Sequence, residues 1–295
     1  MSLLTTDPAL VLVDKPAGWT SRKAGALVSK ALGIRKVGHL GTLDPFATGL
    51  LPLCVGRGTR LSFFLEQTPK VYQAELQLGA ATDSGDCEGE VVEQRPIHTF
   101  DDAQLAAVQA RFSGIIEQIP PIFSAVRVGG QRAYKLARKG HAVEMPSRQV
   151  QIDALQIERV GDDKLILHVT CGAGTYIRSL GRDIAEALGN VGHLTALRRL
   201  QVGALLAAQA SHPEALQAEA VWSTAKLLAK VGQPLRLSGG DCAHIRDGKP
   251  LEILSSLSSL PLARYAVFNE EEPIALIEKC AEGWTILRGI AQRGA

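Results

Sequence analysis

The sequence predicts an α+β fold, with a larger domain of interleaved strands and helices followed by a small β-rich one. Three features lead there. Val71–Gly79 alternates, with Tyr72, Ala74, Leu76 and Leu78 on one side and Gln73, Glu75 and Gln77 on the other, the period of a half-buried strand. Ala24, Leu27, Val28, Ala31 and Leu32 recur at helical spacing, with Thr20 or Ser21 to cap the start and Gly33 to stop it. Beyond Leu235, the apolar runs Ala263–Phe268, Ile274–Cys280 and Trp284–Leu287 are short and parted by turn residues. They suit a β-rich unit of about 60 residues, near the lower limit for independent folding. A chain of 295 residues accommodates both parts, read here as 1–232 and 233–295.

The remaining elements follow in order. Ala9–Asp14 is a strand, broken by Pro16 and Gly18. Residues 36–59 are crowded with glycine and proline and read as a structured loop leading into the buried run Leu50–Val55. Thr99 and Asp102 suggest a capping box for a helix that presents Leu105, Val108 and Phe112 and stops at Gly114. Residues 119–150 are irregular and basic, the pattern of a long loop or small insertion. Leu165–Cys171 is a strand. Thr175 opens a helix with Ile177, Leu180, Ile184 and Leu188 inward and Gly189 as its stop, and the alanine-rich 206–234 reads as helical.

Composition narrows the function classes. Hydrophobic residues make up 46% and charged ones 21%, ordinary for a folded globular chain. The five cysteines stand apart without zinc spacing, which predicts no metal site and a reducing, cytoplasmic setting. The first residues lack a signal-peptide pattern and no apolar run is long enough to span a bilayer, so no membrane association is expected. Net charge is only +2, but it is segregated. From Lys15 to Lys70 nine lysines and arginines face only Asp44 and Glu66; Glu75–Glu117 is strongly acidic; Pro120–Val150 turns basic again. Such a field suits a polyanion on one face, and ordinary solvated surface would look much the same.

The most informative segment is Gly38-His39-Leu40-Gly41-Thr42-Leu43-Asp44-Pro45-Phe46-Ala47-Thr48-Gly49. Glycines allow sharp turns and close approach of a ligand. Pro45 restricts Asp44 to extended conformations and so directs its carboxylate. Leu43, Phe46, Leu50 and Leu51 would lower the local dielectric. A carboxylate so held can serve as nucleophile or general base; an ordinary Asp-Pro turn has the same sequence.

Residues 36–59 resemble the signature loop of the tRNA pseudouridine-55 synthase (TruB) family. Val13-Asp14-Lys15-Pro16-Ala17-Gly18-Trp19-Thr20-Ser21 resembles that family's opening motif, Lys70-Val71-Tyr72 its tyrosine motif, and Gly174-Thr175-Tyr176-Ile177-Arg178-Ser179-Leu180 its arginine motif. His193-Leu194 with Leu197-Arg198-Arg199-Leu200 resembles a further one. The matches run in the family's order across residues 13–200.

The resemblance implies a mixed-sheet pseudouridine-synthase domain with a central cleft, a thumb insertion at 119–150 and a C-terminal PUA-like RNA-binding domain. It implies isomerisation of the uridine at position 55 in the T loop of tRNA, with no cofactor, no guide RNA and no protein partner, and also a role in tRNA folding. The target base would be flipped into an apolar pocket, at a cost of a few kcal/mol. Residue by residue, the resemblance makes Asp44 the catalytic carboxylate, Tyr72 an aromatic that stacks on the base and shuttles its proton, and Arg178 the cation that orients Asp44. It makes His39 a residue that enters the RNA loop, Leu197 a pocket wall, and Lys15 and Pro16 a support for the active-site loop. Tyr176, within the arginine motif, joins the substrate-binding set. Arg127, Arg132, Lys135, Arg138 and Lys139 become thumb phosphate contacts, with Tyr134 a stacking residue. Taken alone, Tyr72 and Leu197 also read as core, and Arg178 as a surface charge. Arg60 stands where the family often has lysine for a phosphate contact.

A dinucleotide-binding loop at Gly172-Ala173-Gly174 fits poorly, because Ile177 occupies the place of the third glycine. A guide-dependent pseudouridine synthase is a nearer rival, against which the 119–150 insertion argues.

Overall fold

A computed structural model describes residues 7–66, 68–124, 126–128, 130–133 and 145–290. Its strands and helices, in chain order, are β1 (Pro8–Lys15), α1 (Ser21–Leu32), β2 (Val37–His39), β3 (Thr48–Val55), α2 (Ser62–Glu66), β4 (Lys70–Leu78), β5 (Ala80–Thr82), β6 (Val91–Gln94), α3 (Asp102–Arg111) and β7 (Gly114–Gln118). There follow β8 (Arg127–Val128), β9 (Gln131–Arg132), β10 (Arg148–Val160), β11 (Lys164–Cys171), α4 (Ile177–Ala187), β12 (Gly192–Val202), β13 (Leu205–Leu206), β14 (Val221–Ser223) and α5 (Thr224–Val231). The last part holds β15 (Gln233–Arg236), α6 (Gly239–Arg246), β16 (Ala263–Asn269), β17 (Glu272–Cys280) and β18 (Gly283–Gly289).

A mixed sheet of order β14-β1-β3-β12-β4-β11-β10-β7 forms the larger part, with β2 added to β3 and β13 to β12. β4 buries Tyr72, Ala74, Leu76 and Leu78 as its alternation predicts. α4 packs Ile177, Leu180 and Ile184 onto the core, each burial contributing roughly 1.5–3 kcal/mol. Among the described strands, β3 and β12 pair in parallel, over just two positions, Arg198 with Thr48 and Arg199 with Gly49. β12 pairs along its length with β4 instead. The chain entering β3, residues 40–47, therefore lies beside the end of β4 and the middle of β12, which sets the position of the site. Gly49 makes the short pairing possible: its φ is 97°, and a Cβ there would stand 2.3 Å from the Arg199 carbonyl oxygen.

A second sheet, β15-β16-β17-β18, carries the C-terminal part. Its Ala266, Phe268 and Leu276 share one apolar cluster with Leu10, Trp222, Leu227 and Leu228 of the larger part. Arg60, expected at a phosphate, donates instead to the carbonyls of Gly289 and Ile290 at 3.2 and 3.4 Å.

Several expectations are corrected. Helix α1 buries Ser21, Ala24, Gly25 and Val28 and leaves Ala31 exposed, and the Ser21 hydroxyl bonds Leu43. Thr20 alone caps it, accepting from Lys23 N at 3.1 Å. The capping box of α3 is formed by Asp101 and Gln104, two residues on from the predicted Thr99 and Asp102. Tyr176, not Thr175, is the N-cap residue of α4, and the Thr175 hydroxyl turns back to Gly172 O. In 206–234 only Thr224–Val231 is α-helical, since Val221 and Trp222 pair with β1 and alanine propensity yields to that pairing. Within 119–150, Arg148 onward belongs to the sheet through β7, and Arg127–Val128 pairs antiparallel with Gln131–Arg132.

Candidate active site

Asp44 is fixed by clamps on its two neighbours. On one side the Ser21 hydroxyl donates to Leu43 O at 3.0 Å and accepts from Leu43 N at 2.9 Å. On the other, Pro45 O accepts from Lys15 Nζ at 3.1 Å and from Gly18 N at 2.8 Å. Lys15 is fully buried and also donates to Pro16 O and Trp19 O, at 3.0 and 2.7 Å. Desolvation lowers its pKa to about 8, against the pull of Glu88 and Asp44. The opening motif thus holds the loop that bears the acid. Lys15 and Pro16 support the site from behind, with Lys15 outside the cavity lining.

Arg178, on the first turn of α4, meets Asp44 as a fork: Nε donates to Oδ2 at 2.9 Å and Nη2 to Oδ1 at 3.1 Å. Its other contacts are Ser84 O at 2.8 Å, Phe123 O at 2.9 Å and Asp86 Oδ2 at 3.4 Å. Arg178 is 4% exposed, so the sequence-level alternative of a surface charge does not hold. Burial pushes the Asp44 carboxyl above its ordinary value; Arg178 opposes the shift, Asp86 adds to it, and Lys15 opposes it too.

Two hollows meet at Asp44. The smaller, about 260 Å³, is lined by Asp44, Tyr72, Tyr176, Arg178, Leu197 and Arg199, among others, and Asp44 is the one carboxylate among its lining residues. Tyr72 is buried, as is Leu197, and both belong at once to the core face of the sheet and to the cavity wall. Burial pushes the Tyr72 phenol up, and the charge of Arg199, its cross-strand neighbour, opposes this. Tyr176 exchanges backbone hydrogen bonds with the Gln118 side chain and stacks under Arg148, whose guanidinium carbon lies 4.8 Å from the ring centre. The larger hollow is an open groove of about 870 Å³ between α1 and the loop, lined in part by Arg22, Arg35, His39 and Asp44. His39 is exposed there, on the far side of the loop from Tyr72.

The structure thus brings Asp44, Tyr72, Arg178, Leu197 and Tyr176 together and places His39 next door. Of the expected thumb contacts, Tyr134, Lys135, Arg138 and Lys139 lie outside the described residues, as do the side chains of Arg127 and Arg132. Sequence reasoning missed Arg199, Lys70 and Asp86. Arg199 is 1% exposed and donates to Leu50 O, Leu40 O and Gly41 O. Lys70 is buried and donates to Glu66 O and Thr68 O. Both stood inside quoted motifs; only a cross-strand register could reveal that they turn inward.

Residues 29–177 match the model of the TruB family pseudouridylate synthase N-terminal domain, and 178–236 that of the tRNA pseudouridylate synthase B C-terminal domain. The chain is 45% identical over 248 residues to the tRNA pseudouridine synthase B of Thermobifida fusca, covering 81% of this chain and 85% of that protein. The chain belongs to the TruB family. The corresponding protein of Ralstonia nicotianae is 40% identical over 289 residues, covering 95% and 92% of the two chains. Among solved structures, the TruB-family fold seen here is shared with a chain of a Cbf5-Nop10-Gar1 complex, at a TM-score of 0.68 and 20% identity over 97% of this chain and 86% of that one.

Proposed function

We propose that this chain is a tRNA pseudouridine synthase that isomerises the uridine at position 55 in the T loop, acting alone on tRNA in the cytoplasm. The carrying observation is the place of Asp44, on the shared rim of an open groove of about 870 Å³ that carries Arg22 and Arg35 and a smaller hollow of about 260 Å³ lined by Tyr72, Arg178 and Leu197. Family membership and the names of the bacterial relatives support the same reading. Among the described residues, no helix is long and apolar enough to cross a membrane.

In this reading the T loop lies along Arg22, Arg35 and His39, and His39 fills the space the base leaves. The extruded uracil enters between Tyr72 and Leu197. The C1′–N1 bond breaks, the ring turns, and a C1′–C5 bond forms; the hydrogen on C5 leaves as a proton and N1 gains one, so nothing is oxidised or reduced. Asp44, ionised and aimed by the Arg178 fork, supplies the negative charge the reacting nucleoside needs. Tyr72 stacks on the ring and its hydroxyl relays the proton. The basic residues Arg127, Arg132, Lys135 and Arg138 contact phosphates as a thumb, the C-terminal sheet serves as a PUA-like RNA-binding unit, and the same grip on tRNA assists its folding.

The test is to incubate the purified chain with an unmodified tRNA transcript and map pseudouridine at single-nucleotide resolution. Modification at position 55 of the T loop is expected, without added RNA or protein. No product, or product only when a guide RNA is supplied, would overturn the proposal.

A further inference from the structure

Two buried side-chain atoms at the small cavity have no hydrogen-bond partner among the described residues, Ser124 Oγ and Arg148 Nε. They differ in kind. The rest of the Arg148 guanidinium is engaged by the Gly174 carbonyl and the Tyr176 ring. The Ser124 hydroxyl has no such engagement, although the residue is only 6% exposed. A buried hydroxyl left unbonded is costly, and a serine in such a wall calls for a partner that arrives with the ligand.

Its position is well defined. Phe123 O accepts from Arg178 Nη2 at 2.9 Å, and Ser124 N donates to Ile122 O at 2.9 Å. Ser124 therefore directly follows the residue whose carbonyl binds the guanidinium that orients Asp44, and it lines the same hollow as Asp44 and Arg178. The other charged donors of the wall, Arg199 and Lys70, are already committed to backbone carbonyls. Ser124 supplies what they lack, a group that both donates and accepts.

We propose that Ser124 is a substrate-contacting residue, its hydroxyl bonding the extruded nucleoside at the polar edge of uracil or at the ribose 2′-hydroxyl. The inference rests on the function proposed above. A hydroxyl suits a base that turns during the reaction, because it can change from donor to acceptor without moving its oxygen.

The experiment compares wild type and Ser124→Ala under single-turnover conditions, on tRNA carrying either uridine or 2′-deoxyuridine at the target position. Ser124→Ala breaks no bond within the protein, so its melting temperature should match wild type. Its rate on the uridine substrate should fall about tenfold, the effect of losing one hydrogen bond to substrate. If the partner is the sugar, the two variants react alike on the deoxy substrate; if it is the base, the tenfold gap persists there. An active wild type with a Ser124→Ala rate within about twofold of it would overturn this inference alone. A wild type that makes no pseudouridine would sink the proposed function itself.

Discussion

Arg178→Gln removes the cation at the centre of the site while keeping a polar side chain of similar reach. It breaks the fork to Asp44, with arms of 2.9 and 3.1 Å, and the 3.4 Å contact to Asp86, and it frees the carbonyls of Ser84 and Phe123. Asp86 is 4% exposed, so it is left as a buried charge without its counter-ion. Removing one partner of a buried pair typically costs about 3–5 kcal/mol, and Asp44, its side chain 31% exposed, adds to this only after screening by solvent. The pH dependence carries a definite sign. Burial already raises the Asp44 carboxyl above its ordinary value of 3.8, and without Arg178 it rises further. A carboxyl whose folded pKa is raised withdraws stability as pH climbs through that pKa, because the fold disfavours its ionised form. The variant's deficit should therefore be larger at about pH 7.5 than at about pH 5, because the further-raised Asp44 carboxyl takes up its proton sooner as pH falls. Urea unfolding of both proteins at the two pH values measures this. Pseudouridine formation should fall about 10²-fold or more, since Asp44 loses its aim. A deficit under about 1 kcal/mol, or one equal at both pH values, would show that the pair is not the buried, charge-compensated unit described here.

Asp44→Asn should abolish pseudouridine formation while tRNA affinity, followed by filter binding, stays within about tenfold, or 1.4 kcal/mol; substantial turnover would remove Asp44 from the catalytic role. In wild type the acid limb of kcat/KM should lie above the ordinary carboxylate range, because activity is lost as pH falls through the raised Asp44 pKa; a limb at or below pH 3.8 contradicts that environment. Gly49→Ala forces a side chain onto a φ of 97° and against Arg199 O, and should lower stability by about 1–3 kcal/mol or more in thermal unfolding, where a neutral result would deny the close β3–β12 pairing. Neutralising Arg22 with Arg35, or Arg127, Arg132 and Arg138 together, should weaken tRNA binding and reduce its salt slope by roughly 0.7–0.9 for each lost phosphate contact; an unchanged slope excludes the set concerned from the RNA interface.

Local patterns were enough to read the strands at Ala9–Asp14, Val71–Gly79 and Leu165–Cys171, the helix ended by Gly33, and the three C-terminal strands, because burial on one face imposes a period on the residues themselves. The Asp44-Pro45 turn stood out because glycine, proline and a lone acid in an apolar run are uncommon unless geometry demands them, whereas Tyr72 and Arg178 were legible only through the family resemblance of the motifs that bear them. The alanine-rich 206–234 shows the limit. Its composition favours helix, yet Val221 and Trp222 are claimed by the edge of β1, and no local signal announces a partner more than 200 residues away.

What the sequence by itself determined was the set of chemical parts, a directed carboxylate, a buried aromatic and a matching arginine, together with most of the elements that carry them. Only the tertiary structure decided how the parts meet. Arg178 reaches Asp44 across 134 residues of chain, and Arg199 turns inward because its register opposite Tyr72 leaves it no other side. The physical reason is that side-chain periodicity is written locally, whereas strand order, register and the pairing of distant charges are settled only when the whole sheet closes on one core.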